Sequence, residues 1–417
     1  MKSDSTAFLP MTRAEMKARG WEACDIILVT GDAYIDHPAF GTALIGRFLE
    51  SRGYRVGVIA RPDHTSVAAF QVLGAPRLFW GVTAGNLDSH LARLTVMRKL
   101  RRDDPYAPEG QAGGRPANAS IVYASRVRQA AKGVPVILGG LEASLRRWAY
   151  YDYWTDRVRH SLLPDAKADL IAYGMAERSV ADIADRLRRG LDLHGIPGTV
   201  EMATSIDPAA GGYELPAFEE VAAPTPEGRA AFARMAVEIE DRAVSGQTLI
   251  QRHGARWVVA HPPSTALTPA ELDALYALPF QRRPHPCYDG HRIPAFEMIR
   301  DSITTHRGCY GGCAFCAIGA HQGKVVVSRS EASILAEVRR CVAAPGFHGT
   351  ISDLGGPTAN MYGTGCGRAQ GPCSRPSCLH PAPCSHLKSD QHPARNLLAA
   401  ARRIPGVRHL FVTSGIR

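Results

Sequence analysis

The sequence predicts an α/β protein: an N-terminal Rossmann-like parallel sheet domain followed by a second, shorter series of β/α units. Three observations carry that expectation. Short apolar runs end on glycine, stretches of helical periodicity separate them, and the same alternation starts afresh after Pro294.

Residues 25–30 form the first apolar run, closed by Gly31-Asp32, and read as a buried strand. Leu44, Ile45, Phe48 and Leu49 recur at helical spacing, Gly53 stops the pattern, and residues 54–59 give a second strand, completing a β-α-β unit. Residues 78–80, 134–138 and 169–173 continue the strands, and 176–189 follow as a helix, which argues for a mostly parallel sheet covered by helices. The Pro-, Gly- and charge-rich residues 102–119 read as an excursion from it. After Ile196 come scattered Pro and Gly, a helix over 226–244 and a hairpin turning at Gly254. Thr268-Pro-Ala-Glu271 then opens a helix as a capping box with Pro at its first position. Beyond Pro294, strands are expected at 301–305, 349–354 and 407–413, and helices at 329–343 and 393–403. The expected division is 1–195 for the sheet domain, 196–293 for a connecting region and 294–417 for the second series, with a Cys-rich insertion at 361–392.

A chain of 417 residues that is 45% hydrophobic has room for two or three domains at about 100–200 residues each. Its first residues are charged throughout and no apolar run approaches a membrane span, so a cytoplasmic protein without a membrane partner is expected. The net charge of +10 is concentrated in the C-terminal third, a surface that can attract nucleic acid or an anionic cofactor. With no helix-turn-helix, paired zinc-finger pattern or aromatic–basic stripe, nucleic acid is only weakly supported. Eight of the ten cysteines lie between Cys309 and Cys384, and clustered thiols in a reducing compartment point to metal rather than disulfides.

Arg307-Gly-Cys-Tyr-Gly-Gly-Cys-Ala-Phe-Cys316 follows a predicted strand directly. The thiolates of Cys309, Cys313 and Cys316 on one Gly-rich loop can wrap a cubane cluster, leaving its fourth iron open to a bidentate cofactor. Zinc completed by a distant fourth ligand is the alternative. However, structural zinc loops pair thiols as C-x2-C, whereas C-x3-C-x2-C with an aromatic such as Phe315 before the third cysteine is the pattern of radical S-adenosylmethionine (SAM) enzymes. A second group, Cys366, Cys373, Cys378 and Cys384, sits in the Pro/Gly/Ser-rich insertion. Four thiols in a loop without a core of its own suggest a metal, either another iron–sulfur cluster or zinc, with His380 and His386 as further ligands.

Several longer stretches carry a family resemblance: residues 8–16, 29–34 with Asp36-His-Pro38, Gly139-Gly-Leu-Glu-Ala-Ser-Leu-Arg-Arg147, Tyr151-Asp-Tyr-Trp154 and His306-Arg-Gly-Cys309. In these the chain resembles the N-terminal portion of the YgiQ family of radical SAM proteins. The resemblance implies a [4Fe-4S] cluster and SAM, reductive cleavage of SAM to a 5′-deoxyadenosyl radical, and a reductant such as flavodoxin or ferredoxin; it names no substrate. Asp353-Leu-Gly-Gly-Pro-Thr358 is similar to the element that holds the methionyl amino group, which makes Gly355 and Gly356 cofactor-binding candidates along with Phe315, although Pro357 stands where an acidic residue is usual. Residues 301–417 supply about three β/α units, whereas a complete eight-unit barrel takes about 250 residues. The second series is therefore expected to be an incomplete radical SAM (β/α) barrel in a truncated family member with impaired activity, which leaves enzymatic status open.

Cobalamin is not expected. Its D-x-H-x-x-G motif fails at His37, where Asp36 is adjacent and Gly41 comes four residues later, so Asp36-His37-Pro38 reads as a turn. Glu142 reads as part of a helix cap, Cys24 and Cys341 as small buried hydrophobes, and Cys287 has no evident partner. The second functional reading is a non-catalytic zinc or iron–sulfur module with a basic nucleic-acid-binding surface.

Overall fold

Nine strands form the main sheet of the computed structural model, which describes residues 7–206, 211–243, 246–357, 361–368, 373 and 375–413. They are β1 (Ile26–Thr30), β2 (Val56–Ala60), β3 (Phe79–Thr83), β4 (Val136–Gly139), β5 (Leu170–Ala172), β6 (Thr199–Ala203), β7 (Gly212–Leu215), β8 (Thr248–His253) and β9 (Arg256–Ala260). The order is β7-β8-β9-β6-β5-β4-β3-β1-β2, with β1 to β5 mutually parallel. The parallel part reads 2-1-3-4-5, so strand order reverses between β1 and β3, the switch point at which doubly wound sheets open a crevice at their carboxyl ends.

All five residues of β1 are buried because both sheet faces are covered. Ile27 and Val29 share one core with Trp80, Val82 and Leu138; Ile26 and Leu28 share the other with Phe79 and Ile137. Helices α1 (Gly41–Ser51) and α4 (Glu177–Arg188) follow strands as the periodicity predicts, and α2 (Ala119–Ala130) and α3 (Gly140–Leu145) lie between them. α2 packs Tyr123 and Val127 on the first face, and α1 and α4 pack Leu49 and Ile183 on the second.

Next come α5 (Pro226–Ala243) and α6 (Pro269–Tyr276). The predicted capping box is present in full, with Thr268 Oγ1 accepting from the Glu271 amide and the Glu271 carboxylate accepting from the Thr268 amide at 2.8 Å. The expected hairpin is β8–β9, but it belongs to the main sheet. β6 pairs antiparallel with both β5 and β9, so the sheet runs without interruption past the boundary expected at 195/196. The scattered Pro and Gly concealed β6 and β7, whose pairing partners lie far along the chain.

In the C-terminal part, β10 (Ser302–Thr304) pairs parallel with β11 (Asp353–Gly355), and Thr350–Ile351 pairs parallel with His409–Leu410. Between them lie α7 (Ile318–Gln322), α8 (Glu331–Ala343) and α9 (His392–Arg402). Ile303, Ile334, Val338, Ile351, Leu354 and Leu397 give this part its own core. The strand expected over 349–354 is split at Ser352, and that expected over 407–413 shortens to two residues. Val244, Thr358 and residues 414–417, which fall in expected elements, lie outside the described residues. Among the described residues no helix is long and apolar enough to cross a membrane.

Candidate functional site

The carboxyl ends of β3 to β5 open onto a cavity of about 600 Å³. Leu28 and Gly81 form its floor on one sheet face, Gly140 stands at a strand end, and Ile318, His321 and Gly356 bring the C-terminal part against it. The cavity therefore lies where the sheet meets the segment that follows the three clustered thiols.

Two polar contacts moor that segment to the sheet. Ser144 Oγ on α3 has one proton to donate and two lone pairs to accept with. It donates to the Gly140 carbonyl at 2.9 Å and accepts from the Gly174 amide at 3.0 Å, so its 2.9 Å contact with His321 Nδ1 is one it also accepts. With the Ser144 proton assigned to Gly140, His321 Nδ1 carries the proton of this contact, and His321 lines the cavity. Burial pushes this imidazole down to about 4, with Arg307 and Arg147 adding to the effect and Glu177 opposing it, so it is neutral at physiological pH. In the second contact, Arg307 Nη1 donates to Glu177 Oε1 at 2.6 Å and its guanidinium stacks over the Tyr276 ring. Burial opposes the Arg307 charge, but Tyr276 and Glu177 outweigh it and raise its proton affinity.

The thiol loop itself is tightly turned. Cys309 is buried and its amide donates to Gly323, the Cys316 amide donates to Cys313, and the Gly311 amide points at Cys309 Sγ from 3.3 Å. Arg307 and Ala317, on either side of the motif, line the cavity, whereas the three thiols are not part of its lining. Among the described residues no three His, Cys, Asp or Glu side chains are gathered as ligands of a single ion. The donor set suits a cubane nonetheless: each thiolate binds a different iron, so its ligands need not converge on one point. The N–H directed at Cys309 is of the kind that surrounds cluster sulfurs.

The other candidates are placed as follows. Phe315 is 87% exposed and away from the cavity wall. Gly355 and Gly356 line the cavity, but a Cβ on Gly356 would lie 2.2 Å from the His306 ring, so packing alone already requires glycine there. In the second thiol group Cys366 is exposed and Cys373, Cys378 and Cys384 are half-buried. Burial, then the neighbouring Cys384, Cys373 and Cys366, raise the Cys378 thiol. His37 is buried in its turn, its Nδ1 accepting from the Ala39 amide. Glu142 caps helices other than its own, accepting from the Ser89 and Ser120 amides. Cys24 and Cys341 are buried, and Cys287 Sγ lies 3.9 Å from Met11 Sδ. Sequence reasoning missed Ser144, Glu177 and His321, although His321 stands only five residues after Cys316.

A family model described as Radical SAM N-terminal matches residues 8–302, and a UPF0313 protein of Geobacter sulfurreducens is 52% identical over 417 residues, 99% of this chain and 68% of that one. The chain belongs to the radical SAM UPF0313 (YgiQ) family. A UPF0313 relative from Methanocella arvoryzae is 48% identical over 98% of this chain and 68% of its own, and YgiQ of Salmonella typhimurium is 44% identical over 98% and 65%. The chain spans about two thirds of the length of the curated relatives it matches, and 60% of one from Shewanella oneidensis. The family model ends before Cys309, whereas the similarity to these relatives extends over nearly the whole chain. Among solved structures, the radical SAM methyltransferase TsrM of Kitasatospora setae, with tryptophan and a SAM analogue bound, aligns at a TM-score of 0.42 and 16% identity, covering 78% of this chain and 46% of that one. The cobalamin-dependent radical enzyme OxsB, with aqua-cobalamin and SAM bound, aligns at 0.40 and 11%, covering 81% and 34%. These alignments leave the expectation against cobalamin untested.

Proposed function

We propose that the chain holds a [4Fe-4S] cluster on Cys309, Cys313 and Cys316 and binds SAM on the cavity side of that loop, against Gly355 and Gly356. The observation that carries this reading is the junction itself: in a radical SAM family member, the C-x3-C-x2-C loop is moored by Arg307 and His321 to a cavity at the carboxyl ends of β3 to β5. A cluster held by Cys309, Cys313 and Cys316 would supply the electron for reductive cleavage of SAM. Arg307 and Ser144 fix the loop against the sheet, and Leu28, Ile318 and the rest of the apolar wall exclude water. The neutral Nε2 of His321 accepts a hydrogen bond from an N–H or O–H of the substrate. The reductant in this reading is a flavodoxin or ferredoxin in the cytoplasm, and Cys366, Cys373, Cys378 and Cys384 hold a second iron–sulfur cluster or zinc. The basic C-terminal third is what speaks for the nucleic-acid module, and family membership does not favour it.

Because the relatives are longer, the test reads binding rather than turnover. Anaerobic reconstitution with iron and sulfide should give a visible thiolate–iron band and saturable retention of labelled SAM in equilibrium dialysis. Replacing Cys309, Cys313 and Cys316 together by Ala should abolish SAM retention and the iron held at this loop. Wild-type protein that takes up only zinc, or a triple variant that retains SAM, would overturn the reading.

A further inference from the structure

We infer that the four-cysteine insertion is the outer brace of the cluster loop, and that Ser377, bonded to the Gly311 carbonyl, is a positioning residue for Gly311, whose N–H is aimed at the Cys309 sulfur. This deepens the cluster reading and rests on it.

The insertion is folded on itself before it meets the loop. Gly365–Cys366 pairs antiparallel with Leu387–Lys388, and the Cys384 amide donates to the Cys378 carbonyl at 2.8 Å. The contact with the cluster loop is backbone against backbone: Gly312 sits at φ +61°, and a Cβ there would lie 2.4 Å from the Pro376 carbonyl oxygen. Two of the three carbonyls between Cys309 and Cys313 are held by the insertion. The Cys378 amide donates to Tyr310 O at 3.0 Å, and Ser377 Oγ donates to Gly311 O at 2.7 Å. The same buried hydroxyl accepts from the Leu379 and His380 amides, each at 3.0 Å, so its one proton and both lone pairs are committed. Cys309, Tyr310 and Met361 form a small apolar cluster against which Cys378 and Leu387 pack.

A trans peptide is planar and its C=O and N–H point in opposite directions. Holding the Tyr310 carbonyl therefore fixes where the Gly311 N–H points, and it points at Cys309 Sγ. A hydrogen bond to a cluster thiolate favours the more negative, reduced state and helps to set the potential. Cys378 is thus both a thiol of the second group and the residue whose amide orients this donor. Ser377, tied to Gly311 on one side and to the Leu379–His380 turn on the other, keeps the two in register.

Ser377→Ala tests the brace and Ser377→Thr is the conservative rescue. In the full chain without metal, hydrogen exchange of peptides spanning residues 308–316 should quicken several-fold in Ser377→Ala and return toward wild type in Ser377→Thr, with unchanged exchange in β1 as the folding control. Exchange unchanged in Ser377→Ala overturns the brace, whether or not the chain takes iron. In the reconstituted chain, a redox titration followed by electron paramagnetic resonance should show a more negative midpoint in Ser377→Ala, restored in Ser377→Thr. Faster exchange with an unmoved midpoint overturns the positioning role. A wild-type chain that takes up no iron sinks the cluster reading alone, and the exchange comparison still decides the brace.

Discussion

Arg307 and Glu177 form the residue-scale hinge between loop and sheet, because each is the other's buried counter-charge. Glu177 Oε2 has no hydrogen-bond partner among the described residues, so the carboxylate depends on Arg307. Removing one partner of a buried pair costs about 3–5 kcal/mol. Arg307→Ala should lose that much in urea unfolding, and Arg307→Ala combined with Glu177→Gln should recover part of it; an Arg307→Ala loss below about 1 kcal/mol would place the pair in solvent-like surroundings. Buried histidines, His253 and His321 among them, set a pH dependence. Burial lowers His253 to about 4, with His160 adding to the effect and Glu219 opposing it, and His321 is likewise at about 4, against an ordinary value of 6.5. The folded chain binds these protons more weakly than the unfolded chain does. Their contribution is therefore complete above about pH 6.5 and is lost as pH falls toward 4, by roughly 3 kcal/mol for each histidine. Carboxylates lose stability in the same direction, so the discriminating comparison is a His253→Gln, His321→Gln variant, whose urea midpoint should decline less steeply between pH 7 and pH 4.5 than that of wild type.

Elements announced by local chemistry were the ones legible beforehand. The Thr268–Glu271 capping box starts α6, and the Gly53 stop ends α1 one residue after Arg52, because those signals act within a single turn. Thr268→Ala should cost about 1 kcal/mol in urea unfolding. Since Tyr276 at the other end of α6 stacks with both Arg307 and Arg329, the variant should also quicken hydrogen exchange at residues 306–308; exchange confined to residues 268–272 would show that the cap acts locally. Elements defined by distant partners were not legible. β6 and β7 lie in Pro/Gly-rich sequence and are strands through their pairing with β5, β9 and β8. The thiol spacing was readable, whereas Ser144 and His321 became visible only when α3 and α7 met, because nothing in either segment records the other.

At the scale of the molecule, the cavity and the sheet are one construction: the wall that faces the thiol segment is the carboxyl edge of a nine-stranded sheet that continues through residues 199–260. A domain boundary at 195/196 would make that continuation dispensable to the site, but the packing says otherwise. One buried core contains Trp80 and Leu138 from the parallel strands together with Val200, Leu249 and Val258 from the extension. A hole opened at the far end should therefore be felt at the switch point. Leu249→Ala removes a side chain from that core at a cost of about 2–5 kcal/mol. In native-state hydrogen exchange its slowest amides in β1 and β3 should lose protection by the same free energy as those in β8, because all of them exchange through one cooperative unfolding. If β8 and β9 lost protection while β1 and β3 kept theirs, the extension would be a separate unit and the cavity wall would stand without it.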